Sequence, residues 1–201
     1  MDFNKNRAYL YDTVAISADN AGTQYFNTES QFFTVPKGTS GKTFADTNLL
    51  TARQIARGSA FNVKRIMAQV FPGVAPSVYG APVEAKGVND LWEVFKKGTL
   101  AIQGLNDQVL LRVPLSMVPG STRLDITNFA YEGIADGAGV GLQTQYATLH
   151  GETFDLAEPL AIIGGEAFGA IIEMPSGLAV PSNTVCKIKL LYEGVWAVPK
   201  Q

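Results

Sequence analysis

The C-terminal part of the chain, residues 159–201, constrains the fold more than any other segment. It contains two apolar runs, residues 159–175 and 185–198, whose breaks at Gly, Pro and Asn are typical of three or four short β-strands. A strand near the end of a chain is usually paired inside a sheet, because an unpaired one would leave its backbone polar groups unsatisfied. This block is therefore predicted to be architectural, and it holds few residues of the types used in catalysis.

Strand-like runs rich in aromatic and β-branched residues recur through the rest of the sequence. They cover residues 8–17, 24–35, 60–71, 99–103, 108–117, 122–131 and 142–150. Residues 47–56 fit either a helical stripe or a strand. A short helix is expected at about residues 91–97, where Asn89 and Asp90 can cap its start and Gly98 can end it. The pattern predicts one all-β domain over residues 1–201, built as a sandwich or a barrel.

The clearest strand is Ala60–Phe71, because apolar side chains alternate along it. The faces expected at a period of two are Phe61, Val63, Met67 and Phe71 on one side and Ile66, Ala68 and Val70 on the other. Arg65 interrupts the first face, so this strand is expected to have one exposed end.

The composition suggests that part of the surface is covered by other subunits. Charged residues make up 17% of the chain, below the usual quarter, whereas hydrophobic residues make up 46%. A formal net charge of −2 gives no overall attraction to nucleic acid or to an anionic membrane. The single cysteine, Cys186, is expected to be a small buried hydrophobe. With no signal-peptide run and no apolar stretch of bilayer length, the chain is expected to be a soluble product of a reducing compartment.

Two motifs suggest nucleotide binding only in part. Residues 36–43 end in Gly-Lys-Thr like a phosphate-binding P-loop, but Pro36 stands where that motif needs its first glycine and has no amide hydrogen to offer. Residues 133–141 resemble a dinucleotide-binding glycine run in composition alone, without a strand–helix frame. Both segments are interpreted as polar loops.

The sequence does not favour an enzyme, a metal site or a cofactor site. His150 is the only histidine, so a cupin metal site that needs several cannot be built, and no Gly-x-Ser-x-Gly elbow accompanies it. The carboxylates Glu152, Asp155 and Glu158 are assigned to surface turns, and His150 to a turn as well.

One stretch of the sequence is locally basic. Between residues 42 and 65 Asp46 is the only acid, and the cations there are Lys42, Arg53, Arg57, Lys64 and Arg65. They could form a patch that faces a nucleic-acid genome or an acidic neighbour. Solvated residues at strand edges explain the same pattern slightly better.

Four segments carry a resemblance to a known family. They are residues 46–66, seen as an opening sandwich strand, the short helix with residues 98–102, the strand and Pro-rich turn of residues 109–120, and the C-terminal pair 159–172 with 188–199. In this order they resemble the single jelly-roll capsid proteins of small tailless icosahedral viruses, particularly bacteriophages. The likeness covers about two-thirds of the chain.

The resemblance implies a single jelly roll, a two-sheet antiparallel β-sandwich with one short helix near residues 90–97. It implies a structural protein of the virion that assembles into an icosahedral shell through homo-oligomeric capsomers. The implied partners are copies of itself, other capsid proteins, and packaged nucleic acid or an internal membrane, with no small-molecule substrate. Residues 1–7 could form a flexible arm, and Tyr192 and Trp196 are expected core or interface anchors. The alternative is a carbohydrate- or receptor-binding jelly roll on a spike.

Overall fold

The computed structural model describes residues 3–16, 29–71, 94–118, 129–133, 140–144, 153–175 and 186–199. Ten β-strands lie within these ranges. They are β1 (Phe3–Ile16), β2 (Glu29–Phe32), β3 (Ala60–Phe71), β4 (Thr99–Gln103), β5 (Val109–Pro114), β6 (Phe129–Gly133), β7 (Val140–Thr144), β8 (Phe154–Ile163), β9 (Gly169–Glu173) and β10 (Cys186–Pro199). Short 3-10 turns follow β4 and β5 at Leu105–Asp107 and Leu115–Met117.

Eight of the strands form two antiparallel four-stranded sheets. The first sheet has the order β1-β10-β3-β8, and the second has the order β2-β9-β4-β5. The first strand pairs with the last, the second with the next to last, and so on inward to the β4–β5 hairpin. This nested pairing is the connectivity of a jelly roll. The all-β jelly-roll prediction is confirmed, and β6 and β7 add a separate two-stranded hairpin between β5 and β8.

Side chains from both sheets meet in one core. Ile188, Leu190 and Tyr192 alternate along β10 and are fully buried, because every second residue of this strand points between the sheets. The Tyr192 ring packs against Phe33, with 5.2 Å between ring centroids. Trp196 continues the same face and lies 5.4 Å from the Phe61 ring. The prediction that Tyr192 and Trp196 anchor the core is confirmed.

A β-bulge at Lys64 changes which residues of β3 face the core. Glu193 of β10 pairs with Arg65, but the next residue, Gly194, pairs with Val63, so that Lys64 is the extra residue. An extra residue moves all later side chains to the opposite face. The residues of β3 that belong to the core cluster are therefore Phe61, Val63, Ile66, Ala68 and Val70, and Met67 is buried outside this cluster. The single face predicted from Phe61 to Phe71 was wrong in its second half, and Phe71 is 42% exposed.

The ends of several predicted elements differ from the structure. The segment expected to be a free arm lies partly in β1, where residues 3–7 pair with residues 195–199 because this satisfies the backbone of both strands. Residues 47–56 form turns and one isolated bridge, Thr51 with Gln54, and not a helix or a strand. Residues 61–66, which resembled an opening strand, belong to β3, and two of the described strands precede it.

The predicted short helix is confirmed at its C-terminal end. Residues 94–97 are helical, and the Gly98 amide donates to the Val94 carbonyl at 2.7 Å. A side chain at position 98 would lie 2.6 Å from that oxygen, so only glycine closes this turn without a shift. The predicted cap at Asn89 and Asp90, the loop at 134–139, most of the strand at 122–131 and the Cys186 side chain lie outside the described residues.

Substitution of Gly194 tests the bulge. A Cβ atom at this position would overlap the Asn62 carbonyl oxygen, which belongs to the rigid backbone of the neighbouring central strand. We expect Gly194→Ala to lower the free energy of unfolding by about 3 kcal/mol, measured by urea denaturation. The matched control is Gly104→Ala, whose Cβ would meet only the flexible end of Leu110 and should cost less than about 1 kcal/mol. Equal stability of the two variants would contradict the bulge.

Candidate functional site

The connection between β2 and β3, residues 33–59, covers part of the free edge of β1. The Asn48 side chain accepts a hydrogen bond from the Tyr11 amide at 3.0 Å and donates one to the Tyr9 carbonyl at 2.7 Å. The Thr47 hydroxyl donates to the Tyr11 carbonyl at 3.1 Å. These side chains take the place of a neighbouring strand, so this part of the edge is closed to pairing with another chain.

A buried carboxylate holds this connection in place. Asp12 of β1 is fully buried, and it accepts hydrogen bonds from the Lys42 ammonium and from the Phe33 amide, each at 2.6 Å. A buried charge is tolerated only when it is paired and hydrogen-bonded. The two bonds therefore fix both ends of the segment from Phe33 to Lys42 against β1.

The same contacts bear on the P-loop-like motif. Its lysine, Lys42, is bound to Asp12, and its backbone amides serve the loop itself. Gly38 donates to the Lys42 carbonyl at 2.9 Å, and Lys42 donates to the Thr39 carbonyl at 3.0 Å. A phosphate cradle needs the lysine and these amides free for the ligand. The geometry agrees with the interpretation as a polar loop.

The end of this loop is organised by a second carboxylate. Asp46 accepts hydrogen bonds from the Thr43 amide at 3.0 Å and from the Thr43 hydroxyl at 3.1 Å. The bond from the Thr43 amide lowers the pKa of Asp46 below its ordinary value. Asp46 is therefore ionised at neutral pH and caps the turn that carries Thr47 and Asn48.

The five cations predicted as a basic patch are mostly engaged within the molecule. Lys42 binds Asp12, Arg53 binds Asp107 and the Phe168 carbonyl, and Arg65 binds Asp155 at 2.8 Å. Arg57 and Lys64 are exposed. Three of the five thus stabilise connections between elements, and the use of the set as an interaction patch stays a prediction.

Arg65 also belongs to a charged groove on the outer face of the first sheet, beside the bulge. Glu193 is buried there between two arginines. Its carboxylate forms an ion pair with Arg7, and its Oε1 atom lies 3.8 Å from Arg65 Nη1. The groove encloses about 520 Å³ and also includes Lys64 and Asp155. Sequence reasoning missed Arg7 and Glu193, because only the register of β1 on β10 brings positions 7 and 193 to neighbouring sites.

A second, apolar cleft opens between the two sheets. It encloses about 200 Å³ between the β4–β5 turn and the β8–β9 turn. Its apolar lining comes from Val63, Ile102, Leu105, Leu110, Leu160, Ala161, Ile162, Ile163, Ala167, Phe168 and Tyr192. Leu105, Leu110 and Ile163 are about half exposed, which places a water-facing apolar rim beside the cleft.

Tyr192 is one of the residues that line this cleft. Its hydroxyl is buried and, among the side-chain atoms of the described residues, is the only buried nitrogen or oxygen without a hydrogen-bond partner. An unsatisfied buried hydroxyl costs about 1–3 kcal/mol. Burial raises the pKa of Tyr192, so the phenol keeps its proton and remains a donor. No feature of the sequence pointed to this group, since an alternating apolar strand predicts only that Tyr192 is buried.

The described residues form no metal-binding group and no membrane-spanning helix. Within the described part of the chain, no three His, Cys, Asp or Glu side chains form a group that could hold a metal ion. Asp155 and Glu158 are exposed on β8, and His150 and Glu152 lie outside the described residues. None of the helical segments in the described ranges has the length and apolar character to cross a bilayer.

Comparison with known proteins identifies no relative. No family model matches the sequence, and no curated protein matches it. Its function is therefore argued from the jelly-roll connectivity and from the surfaces described above.

A charge deletion at position 42 distinguishes a structural lysine from a phosphate-binding one. Because Lys42→Met leaves the Asp12 carboxylate buried without its cation, we expect a loss of about 3 kcal/mol in the free energy of unfolding. Lys37→Met, in an exposed position of the same loop, should change it by less than about 1 kcal/mol. Mg-ATP should cause no thermal shift in the wild type. Undiminished stability of Lys42→Met, together with a shift that this variant abolishes, would establish a phosphate site.

Proposed function

We propose that this protein is a structural subunit of a viral capsid, which assembles into an icosahedral shell through homo-oligomeric capsomers. The observation that carries the proposal is the jelly-roll connectivity of the two sheets. This architecture is used by viral capsid proteins, lectins and cupins. The family resemblance drawn from the sequence favours the first of these three classes.

The distribution of exposed apolar side chains supports a protein that is covered by neighbours. The β2–β3, β4–β5 and β8–β9 connections meet at one end of the sandwich, as the pairs Ala60–Ile163 and Gln103–Gly169 require. Several of the large exposed apolar residues lie in or beside these connections, and we call the following five the apolar end: Leu50, Leu105, Val109, Leu110 and Ile163. Leu50 is 73% exposed. Exposed apolar clusters of this kind usually mark protein contacts.

The closed edge of β1 complements this end. A free sheet edge adds strands without limit, whereas a shell needs contacts that close by symmetry. Because Asn48 and Thr47 occupy part of the β1 edge, contacts between copies at this part of the edge would be made through side chains and connections. Such contacts do not extend a sheet without limit, which suits a closed shell.

The other virion partners would contact a smaller part of the described surface. Other capsid proteins would meet the same apolar end. A packaged genome or an underlying membrane would be contacted through Arg57 and Lys64, since the other three cations of the basic set are held in ion pairs. Most of the free energy of assembly would then come from apolar contact between protein subunits.

Leu50→Glu tests the proposal on the purified full-length protein. We expect the wild type to form capsomers, sheets or cages, seen by light scattering and negative-stain microscopy. A charge at this highly exposed apolar position should raise the protein concentration needed for assembly at least tenfold. The melting temperature should not change, because Leu50 makes little contact within its own subunit.

The matched control is Met117→Glu, a comparable change at a residue that is 54% exposed near the opposite end of the sandwich. It should assemble like the wild type. Monomers or trimers of the wild type that bind glycans would overturn the shell proposal in favour of a spike-binding module. Loss of assembly in Met117→Glu alone would place the contacts away from the apolar end.

A further inference from the structure

The cleft between the sheets has the features of a small-molecule site. Its walls come from both sheets, with Val63 and Leu160 on one side and Ile102 on the other. About 200 Å³ is enough for a molecule with a single ring, since an apolar protein cavity of about 150 Å³ accommodates benzene. Apolar walls with one or two placed polar groups are the usual composition of a ligand pocket.

The position of Tyr192 determines the specificity of this cleft for its ligand. Its ring is held by packing against Phe33, and its hydroxyl has no partner among the described residues. Buried polar groups in folded proteins are nearly always hydrogen-bonded, so an unpartnered donor on a residue that lines a cleft indicates that something else completes it. A ligand with an acceptor atom at one end satisfies this requirement.

The polar residues of the cleft limit the charge of that ligand. They are Gln103, Gln108 and Glu166, and among the residues that the structure describes no Lys or Arg lines the cleft. An ionised carboxylate or phosphate would be desolvated there without a cation and close to the Glu166 carboxylate. The chemistry therefore favours a neutral acceptor, such as a ketone, ester or amide carbonyl.

We propose that this cleft binds a small, mainly apolar, neutral molecule whose carbonyl oxygen accepts a hydrogen bond from the Tyr192 hydroxyl. The site lies within one subunit, and its rim residues Leu105, Leu110 and Ile163 also belong to the apolar end. Two other occupants would satisfy the hydroxyl without such a ligand: an ordered water molecule, or a side chain of a neighbouring copy. The experiment separates all three.

The test compares two probes of nearly the same shape by protein NMR titration of the full-length chain. Acetophenone carries a carbonyl oxygen, and cumene has a methyl group in its place. We expect the wild type to bind acetophenone about fivefold more tightly than cumene, the ratio that one neutral hydrogen bond contributes. In Tyr192→Phe this preference should disappear while cumene binding is retained, because the cleft keeps its shape.

Two further variants make the result specific. Tyr9→Phe removes a hydroxyl from an exposed tyrosine outside the cleft and should behave like the wild type. Ala167→Phe places a ring in the cleft and should abolish binding of both probes, with its fold checked by thermal denaturation. Binding seen only in Leu50→Glu, and not in the assembled wild type, would support the site and show that assembly covers it.

Three results would overturn the proposal. Equal affinity of the wild type for the two probes would show that a retained water satisfies the hydroxyl. A preference for acetophenone that persists in Tyr192→Phe would place the acceptor contact elsewhere. Absence of binding in both the wild type and Leu50→Glu would show that the cleft takes no such ligand.

Discussion

The structure depends on the pairing of β10 with neighbours on both sides. This strand hydrogen-bonds to β1 along its whole length and to β3 along most of it, so the two ends of the chain close the first sheet together. The alternation of side chains along β10 determines where the residues discussed for function lie. Tyr192 lies on the inner face beside the cleft, Glu193 lies on the outer face between two arginines, and Gly194 lies where the bulge brings β3 too close for a side chain.

The local pattern of the sequence predicted several strands but not the irregularities in pairing between strands. Ala60–Phe71 and Thr99–Gln103 were predicted with the observed bounds, because alternation and flanking turn residues are local properties. The bulge at Lys64 was not predictable in this way, since the extra residue is defined by its partners on β10 and β8. Because the bulge changes the face in mid-strand, the sequence pattern assigned Met67 and Phe71 to the wrong face, although the strand itself was predicted correctly.

The charged residues also show that a local sequence pattern does not predict tertiary contacts. A basic run at residues 42–65 suggested one patch, but its members bind acids that are far away in the sequence, such as Asp12 and Asp107. Each of these pairs joins a connection to another element and so serves the fold first. The cleft was equally hidden from the sequence, since its walls come from five strands and two turns that only the sheet order brings together.

The closed edge and the apolar end have opposite consequences for association. At the β1 edge, Asn48 and Thr47 satisfy backbone groups that would otherwise recruit another strand, and the buried Asp12–Lys42 pair holds the loop that carries them. At the apolar end, side chains lie in water with no polar groups to satisfy, so their burial requires only shape and not a particular backbone register. Contacts of this kind can be made at several slightly different angles. Under the shell proposal, subunits in non-identical positions would need that tolerance, which strand pairing across an edge would not allow.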